Sequence, residues 1–224
     1  MLRPPRPQAL SIEGPAGSLE ALLEEPETGR GAAFGVVCHP HPLQGGTLEN
    51  KVVHTLARAL QGLGIPTLRF NYRGVGKSEG AYDEGIGETE DALAVVGAGR
   101  VRWPHASVWL LGFSFGGIVA LRAAARLPAA GLVTVAPAIG RLAVGDRIPE
   151  CPWLIVQGDS DEVVAPASVL EWARGLEAAP RVEVMAEAGH FYHGRLPELR
   201  QKVVRFVRET APEITVDEAQ DAAG

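Results

Sequence analysis

The chain has 224 residues, of which 46% are hydrophobic, and a formal net charge of −6 at pH 7. This length and this apolar content suit one α/β domain with a substantial core. The acidic balance argues against a nucleic-acid-binding protein, which needs a basic surface to displace counterions from phosphates.

No stretch of the sequence is apolar over the roughly 18 residues that a membrane span requires. The N-terminal residues MLRPPRPQALSIEG lack the apolar core of a secretory signal, so we expect a cytoplasmic protein without a membrane partner. Cys38 and Cys151 form neither a disulfide framework nor a metal-binding spacing, and both adjoin apolar runs. We therefore predict that they are buried, reduced thiols.

The secondary structure begins with two strands, ALSIEG and SLEALLEEP, which flank a Pro-Ala-Gly turn and predict an antiparallel hairpin at a sheet edge. Short apolar runs then alternate with longer segments of helical period. The apolar runs are AAFGVVC, IPTLRFNY, SVWLLGF, AGLVTVAPA and PWLIVQG. This alternation predicts an α/β fold with a mostly parallel central sheet and helices on both faces.

The C-terminal third continues the pattern with a strand, RVEVMAEAG, and an amphipathic helix, LPELRQKVVRFVRET. We predict a single domain over residues 1–210, followed by an acidic and disordered tail over residues 211–224. The segment between the strand that ends near Ala136 and the strand that starts near Trp153 is too short for a helical cap domain.

One loop imitates a phosphate-binding motif. The stretch LRFNYRGVGKSEG contains GVGKS, but a P-loop needs a further glycine where this chain has Asn71. The residues after Ser78 are acidic and broken by glycine, so they do not begin the helix that would complete a phosphate cradle. We interpret the stretch as a tight loop beside a site at the end of a strand.

The stretch SVWLLGFSFGGIVALRAA has the form strand, G-x-S-x-G, helix. A one-step turn from strand to helix strains its central residue, and Gly112 and Gly116 provide the space that it needs. Ser114 is therefore predicted to project above the sheet as a nucleophile. The N-terminus of the following helix points at the same place and favours negative charge there.

A serine nucleophile needs a base and an orienting carboxylate, which follow it along the chain in the order acid, then base. In PWLIVQGDSDEVV we choose Asp161 as the acid and expect Asp159 and Glu162 to be solvated or capping. In VEVMAEAGHFYHG we choose His190 as the base, with His193 as the competitor. His54 and His105 are expected to be structural.

The cluster VVCHPHPLQGG ends the first parallel strand at His39 and is predicted to provide an oxyanion amide beside that of Phe115. Pro40 and Pro42 have no N–H, which leaves the amides of His41 and Leu43. We favour the backbone of His41 and expect its side chain not to be required. The HPH spacing cannot lie along one helix face and has no partnered ligands, so we predict neither a metal nor another cofactor.

With the elbow, GDSDEVV and AGHFYH in this order, the chain resembles the α/β-hydrolase superfamily over nearly its whole length. HPHPLQGGTLENKVVHTLARAL, TLRFNYRGVGKSEG and GFSFGG resemble small, lidless bacterial hydrolases of esterase-like activity. The resemblance implies a sheet of eight strands and a triad of Ser114, Asp161 and His190. In many relatives the loop at Asn71 has the pattern D-x-R-G-x-G-x-S, borders the pocket and binds no nucleotide.

We therefore expect a serine hydrolase that cleaves carboxylic esters of short to medium acyl chain, because a site without a cap has an open mouth. The expected pocket walls are Leu43, Phe115, Tyr192 and Val163. The alternatives are a thioesterase or peptidase with the same triad, or a binding domain that has kept the hydrolase scaffold without catalysis. The expected partner is a small ester, and the sequence does not indicate an oligomeric state.

Overall fold

A computed structural model describes residues 7–26 and 31–214 of the chain. Eight strands form one sheet in the order β1-β2-β4-β3-β5-β6-β7-β8. The strands are β1 Gln8–Gly14, β2 Gly17–Glu24, β3 Ala33–Cys38, β4 Thr67–Phe70, β5 Ser107–Phe113, β6 Gly131–Val135, β7 Trp153–Gly158 and β8 Arg181–Met185. The helices are α1 Lys51–Gln61, α2 Ile86–Arg102, α3 Phe115–Ala124, α4 Pro166–Arg174 and α5 Leu196–Thr210.

The predicted fold class is confirmed. Strands β3 to β8 pair in parallel, whereas β1 and β2 form an antiparallel hairpin whose second strand pairs antiparallel with β4. The hairpin turns where the sequence predicts it, and Gly17 has a φ of 117°, a conformation that favours glycine. The segment 136–152 between β6 and β7 contains no helix, as expected for a fold without a cap.

The core has two layers, one on each face of the sheet. Helices α2, α3 and α4 cover one face through residues such as Val95, Ile118 and Val169. Helices α1 and α5 cover the other face through Val53 and Val203. Because both faces are covered, β3, β4, β6 and β7 are buried along their whole length, which explains why β3, β6 and β7 are mostly apolar rather than alternating. In β4 the buried Arg69 is paired with Glu24 of β2.

The C-terminal end of the domain packs beyond the boundary that the sequence predicts at residue 210. Ala211 is buried against the α1 and α5 layer, and Pro212–Ile214 form a 3₁₀ turn. The rest of the predicted tail, residues 215–224, lies outside the described residues. Within the described ranges, no helix combines the length and the apolar character needed to cross a bilayer.

Candidate active site

Ser114 occupies the bend between β5 and α3 with a φ of 56° and a ψ of −117°, an unusual backbone conformation for a residue with a side chain. A Cβ added to Gly116 would lie 2.3 Å from the carbonyl oxygen of Cys38, and one added to Gly112 would lie 2.0 Å from that of Gly116. Both glycines are thus required for the helix to begin directly behind Ser114 and close to the end of β3.

Three side chains that are distant in sequence meet above the carboxyl ends of the strands. The Nε2 atom of His190 lies 3.1 Å from the Oγ atom of Ser114. The Nδ1 atom of the same ring lies 2.8 Å from the Oδ2 atom of Asp161. Because Nδ1 faces a carboxylate, the neutral ring carries its proton there, and Nε2 is free to accept the proton of the serine hydroxyl.

Asp161 is held as an ionised acceptor. The amides of Val163 and Val164 donate to its Oδ1 atom at 2.8 and 2.7 Å, and the side-chain amide of Gln157 donates to Oδ2 at 3.1 Å. Burial by itself would raise the pKa of Asp161, but the hydrogen bonds from His190 and the two amides lower it below its ordinary value. The carboxylate therefore remains charged beside the imidazole.

The loop after β8 carries His190 into this position. The amide of His190 donates to the carboxylate of Glu162 at 3.1 Å. A Cβ on Gly189 would lie 2.9 Å from the same carboxylate, so the glycine allows the close approach. The imidazole packs between aromatic rings, with centroids 5.0 Å from Phe113 and 5.1 Å from Phe191. These contacts fix the ring in the plane that joins Ser114 to Asp161.

The competing residues lie elsewhere. His193 is exposed, and its ring contacts Phe191 at a centroid distance of 5.9 Å. Asp159 accepts the hydroxyl of Ser160 and the amide of Glu187, both at the surface. Glu162 contacts the backbone of His190 rather than its ring and thereby positions the loop, whereas the sequence predicts a solvated or capping side chain. His54 and His105 are exposed and lie on α1 and after α2.

His39 is a structural group at the end of β3. Its Nδ1 atom lies 2.7 Å from the carbonyl oxygen of Pro40, and its Nε2 atom accepts the amide of Tyr72 at 3.2 Å. Both ring nitrogens are thus occupied by backbone groups, so the ring connects the loop after β3 to the loop after β4. Burial lowers the pKa of His39 to about 3, although the bond to Pro40 acts in the opposite direction.

The loop after β3 and the first residue of α3 contain the backbone amides that the sequence predicts as oxyanion donors. The N–H of Leu43 donates to the Nδ1 atom of His41 at 3.2 Å, so this amide is occupied. The N–H groups of His41 and Phe115, in contrast, donate to no acceptor among the described residues. Phe115 is the first residue of α3, where the amides have no partner within the helix. The rings of His41 and Phe115 pack at a centroid distance of 5.0 Å, which brings the two segments together.

A family model described as serine aminopeptidase, S33, matches residues 42–149 of the chain, which include Ser114 but neither Asp161 nor His190. A crystal structure of a lidless α/β serine hydrolase from Xanthomonas campestris is 41% identical, covers 93% of this chain and 97% of its own, and superposes with a TM-score of 0.88. An α/β serine hydrolase homologue from Coxiella burnetii is 45% identical, with coverages of 88% and 96% and a TM-score of 0.83.

An uncharacterised protein from Rickettsia prowazekii is 31% identical over 203 residues, which span 86% of this chain and 85% of the relative. Similarity at this level over nearly complete chains decides the family. The chain belongs to the α/β-hydrolase superfamily, in its small lidless group of serine hydrolases. The family resemblance seen in the sequence is thereby confirmed.

The residues expected to line the pocket of this serine hydrolase differ in how far their side chains are exposed. Leu43 is 70% exposed, and Val163 is half-buried beside Asp161. The prediction for Tyr192 is wrong, because the ring is completely buried and its hydroxyl donates to the carbonyl of Val156 in the core. Its neighbour Phe191 is 43% exposed beside His190 and takes the place at the rim. The aromatic ring of Phe115 is buried, which leaves its backbone as the part near Ser114.

The GVGKS loop of the hydrolase is closed by a carboxylate. An oxygen of Glu20 accepts both the amide of Lys77 and the side-chain amide of Asn71. A Cβ on Gly76 would lie 2.4 Å from this same oxygen. Ser78 completes the closure by donating to the carbonyl of Asn71 and accepting the amide of Glu20. An anionic phosphate would meet a negative charge here, which agrees with the rejection of the P-loop interpretation.

Two functional neighbours of the site were missed in the sequence. The side-chain amide of Gln157, on β7, donates to the carboxylate of Asp161, and the carboxylate of Glu162 accepts the backbone amide of His190. A single amide side chain near the end of the otherwise apolar strand WLIVQG was the available signal for Gln157, because a fully buried polar side chain needs a partner. The sequence contains no comparable signal for Glu162, since its partner lies on another loop.

Proposed function

We propose that this serine hydrolase cleaves carboxylic esters through a catalytic triad of Ser114, His190 and Asp161. The observation that carries the proposal is the line of contacts from Oγ of Ser114 to Nε2 of His190 and from Nδ1 to Asp161, at 3.1 and 2.8 Å. A hydroxyl within reach of an imidazole that a buried carboxylate orients is the arrangement that nucleophilic acyl transfer requires.

In this mechanism Oγ of Ser114 attacks the ester carbonyl carbon while Nε2 of His190 takes the hydroxyl proton. The tetrahedral intermediate collapses, the carbon–oxygen bond to the alcohol breaks, and His190 returns the proton to the leaving alkoxide. A water molecule then gives a proton to His190 and attacks the acyl-serine, releasing the carboxylic acid and restoring the hydroxyl. Asp161 keeps its charge throughout and stabilises the imidazolium form.

The proposed oxyanion donors are the amides of Phe115 and His41. Both N–H groups are free of acceptors in the described chain, and the rings of the two residues are in contact. The Phe115 amide also lies at the N-terminus of α3, where the helix dipole adds partial positive charge. Two donors aimed at the developing negative charge contribute to the rate because they bind it more strongly in the transition state than in the ground state.

The proposed substrates are esters with short to medium acyl chains. The connection from β6 to β7 contains no helix that could cover the site, and Leu43 and Phe191 leave large parts of their side chains exposed at its rim. Such an open rim buries little of a long acyl chain, so each added methylene would contribute less than the roughly 0.8 kcal/mol of full burial. The partner is accordingly a small molecule, and the chemistry requires no cofactor.

An aminopeptidase is the second candidate, because the matching family model carries that description. Peptide hydrolysis would use the same nucleophile and base, with an amine as the leaving group. An aminopeptidase also binds a substrate ammonium group, and Glu162 places an exposed carboxylate beside His190 that could pair with it. Aminoacyl p-nitroanilides therefore belong in any substrate screen.

The test combines covalent labelling with a substrate series. We expect a fluorophosphonate to label the wild-type protein and the Ser168→Ala control, which changes an exposed serine on α4, but not Ser114→Ala. Hydrolysis of p-nitrophenyl esters should decline as the acyl chain lengthens and should exceed hydrolysis of the anilides. Absence of label on the wild type would favour a binding domain, and faster cleavage of anilides than of esters would favour the peptidase.

A further inference from the structure

The side chain of His41 makes more contacts than a residue needs if only its backbone takes part in catalysis. Its Nδ1 atom accepts the amide of Leu43, and its Nε2 atom lies 3.4 Å from the hydroxyl of Tyr82. Its ring also packs on Phe115 and Tyr82 at centroid distances of 5.0 and 5.2 Å. The imidazole is therefore attached to the loop that follows it, to the segment before α2 and to the first residue of α3.

Further contacts hold the backbone on both sides of the proposed oxyanion amide. The carbonyl of His41 accepts the amides of Gln44 and Gly46 at 3.1 and 3.0 Å, which closes the loop behind it. A Cβ on Gly46 would lie 2.1 Å from the carbonyl oxygen of Pro40. The backbone is thus held from the far side by the turn and by the ring of His39, which bonds to the carbonyl oxygen of Pro40 at 2.7 Å. The imidazole of His41 connects it to Phe115, the residue of the other proposed donor.

The segment that bears Tyr82 is itself fixed. Glu88 is completely buried on α2, and its carboxylate accepts the amides of Asp83 and Gly85 at 2.9 and 2.7 Å. Gly85 adopts a φ of 80° at the start of α2, so the turn between Tyr82 and the helix has one defined shape. The hydroxyl of Tyr82 is consequently presented to His41 from a rigid support.

The hydrogen bonds of the His41 ring are compatible with one neutral tautomer. Nδ1 accepts an N–H from Leu43, so the single proton of a neutral imidazole resides on Nε2 and points at the oxygen of Tyr82. A protonated ring would carry hydrogens on both nitrogens and would lose the bond from Leu43. The titratable groups that face the ring are Tyr82 and Glu88. Burial lowers the pKa of His41, although the charge of Glu88 acts in the opposite direction, so the ring favours its neutral form.

We propose that the imidazole of His41 is a positioning group for the oxyanion pocket, acting as the Nε2–H tautomer that joins Leu43, Tyr82 and Phe115. It does not touch the reacting atoms; it sets the direction of its own backbone N–H relative to that of Phe115. This inference rests on the proposed function, and it changes the expectation from sequence that the side chain is not required. The class of reaction that benefits is any acyl transfer through a tetrahedral oxyanion.

Two substitutions separate the two ring nitrogens. In His41→Asn a side-chain oxygen stands close to the position of Nδ1, where it can accept the Leu43 amide in an Asx-turn. In His41→Gln the polar atoms extend toward Tyr82 instead and leave the Leu43 amide without its partner. His41→Ala removes both contacts, and Tyr82→Phe removes the hydroxyl alone. His105→Asn, at an exposed histidine outside the site, is the matched control.

We expect His41→Ala and His41→Gln to lower kcat for a p-nitrophenyl ester roughly ten- to a hundredfold, below the loss of a complete oxyanion donor. KM should change by less than about twofold, because the group acts only on the transition state. His41→Asn should recover part of the rate, because it keeps the contact with the Leu43 amide and loses those with Tyr82 and Phe115. Tyr82→Phe should lower kcat in the wild type and have no further effect in His41→Asn, which has already lost that contact.

An independent measurement follows the Leu43 amide by ¹⁵N-resolved NMR. Its signal should shift on acidification of the wild type as the ring gains a proton, and should not shift in this way in His41→Asn. Equal kcat values for the wild type and His41→Ala, failure of Asn to rescue, or a Leu43 signal insensitive to pH would overturn the inference alone. A wild type that neither reacts with a fluorophosphonate nor hydrolyses any ester would overturn the proposed function and the inference with it.

Discussion

The Nε2 atom of His190 lies 3.1 Å from the Oγ atom of Ser114, although 76 positions separate the two residues along the chain. Their approach depends on two bends of the backbone. One is the strained turn at Ser114, directly after β5, and the other is the loop after β8 that contains Gly189. Asp161 lies in the loop after β7, and its carboxylate contacts the other nitrogen of the His190 ring. Parallel strands collect all three groups because their carboxyl ends share one edge of the sheet.

The first prediction concerns Asp161. Asp161→Asn should lower kcat for an ester substrate by roughly 10⁴, because an amide N–H in place of the carboxylate oxygen reverses the tautomer of His190 and occupies Nε2 with a proton. The fold should survive, since the remaining oxygen can still accept the amides of Val163 and Val164.

The control for this prediction is Asp159→Asn, which changes a surface carboxylate that makes no contact with His190. Steady-state kinetics and circular dichroism of both variants provide the comparison. Near-normal turnover of Asp161→Asn would transfer the role of the acid to another group.

The second prediction concerns Gly116. Gly116→Ala should destabilise the protein by about 3 kcal/mol, the upper end of the range for overpacking, because its Cβ would meet two backbone carbonyls that cannot rotate away. The distances to the carbonyl oxygens of Cys38 and His39 are 2.3 and 2.4 Å. Urea unfolding measures the effect.

Gly97→Ala is the matched control, since nothing lies within 4 Å of a Cβ at this position in α2. There the added methyl group should stabilise the helix by about 0.5–1 kcal/mol. Similar effects at the two glycines would contradict the close approach of the elbow to the end of β3.

The third prediction concerns the pH dependence of stability at His39. The folded-state pKa of about 3 lies below the ordinary value of 6.5, so the unfolded chain binds the proton more readily between these values. The stability due to a neutral His39 is therefore complete above about pH 6.5 and is lost as the pH falls below it, by roughly 2 to 3 kcal/mol at pH 4.5.

We expect the free energy of unfolding of His39→Gln to fall less than that of the wild type between pH 7 and 4.5, even though the variant is less stable at neutral pH. His105→Gln should keep the dependence of the wild type, because this histidine is exposed. Parallel curves for the wild type and His39→Gln would show that another group is responsible.

The fourth prediction concerns Asn71, whose side chain joins the loop after β4 to β2 and to the residues before α1. Its side-chain N–H donates to Glu20 at 2.8 Å, and its oxygen accepts the amide of Leu48 at 2.8 Å. Asn71→Asp would place a second carboxylate oxygen against Glu20 and should cost about 1–3 kcal/mol at pH 7.

Combining Asn71→Asp with Glu20→Gln should recover part of this loss, since an amide again faces a carboxylate. The free energies of unfolding of the two single variants and the double variant give the coupling. Purely additive effects would mean that the two side chains do not share a hydrogen bond in solution.

Much of the site could be predicted because its signals are local. Ser114 lies within G-x-S-x-G between a strand and a helix, and the sequence places His190 and Asp161 directly after strands. The wall residues could not be predicted in this way. Tyr192 and Phe191 are adjacent aromatic residues in one loop, and only the packing of that loop decides that Tyr192 enters the core and Phe191 stays at the rim.

The amino-acid sequence by itself determined the alternation of strands and helices, the glycines of the elbow and the order of Ser114, Asp161 and His190 after their strands, because each depends on neighbouring residues or on hydrophobic periodicity. The tertiary structure alone decided that Gln157 supports Asp161, that Glu162 holds the backbone of His190, and that Glu20 closes the loop at Asn71. These are contacts between segments far apart in the chain, and their geometry follows from how the sheet packs, which no local pattern records.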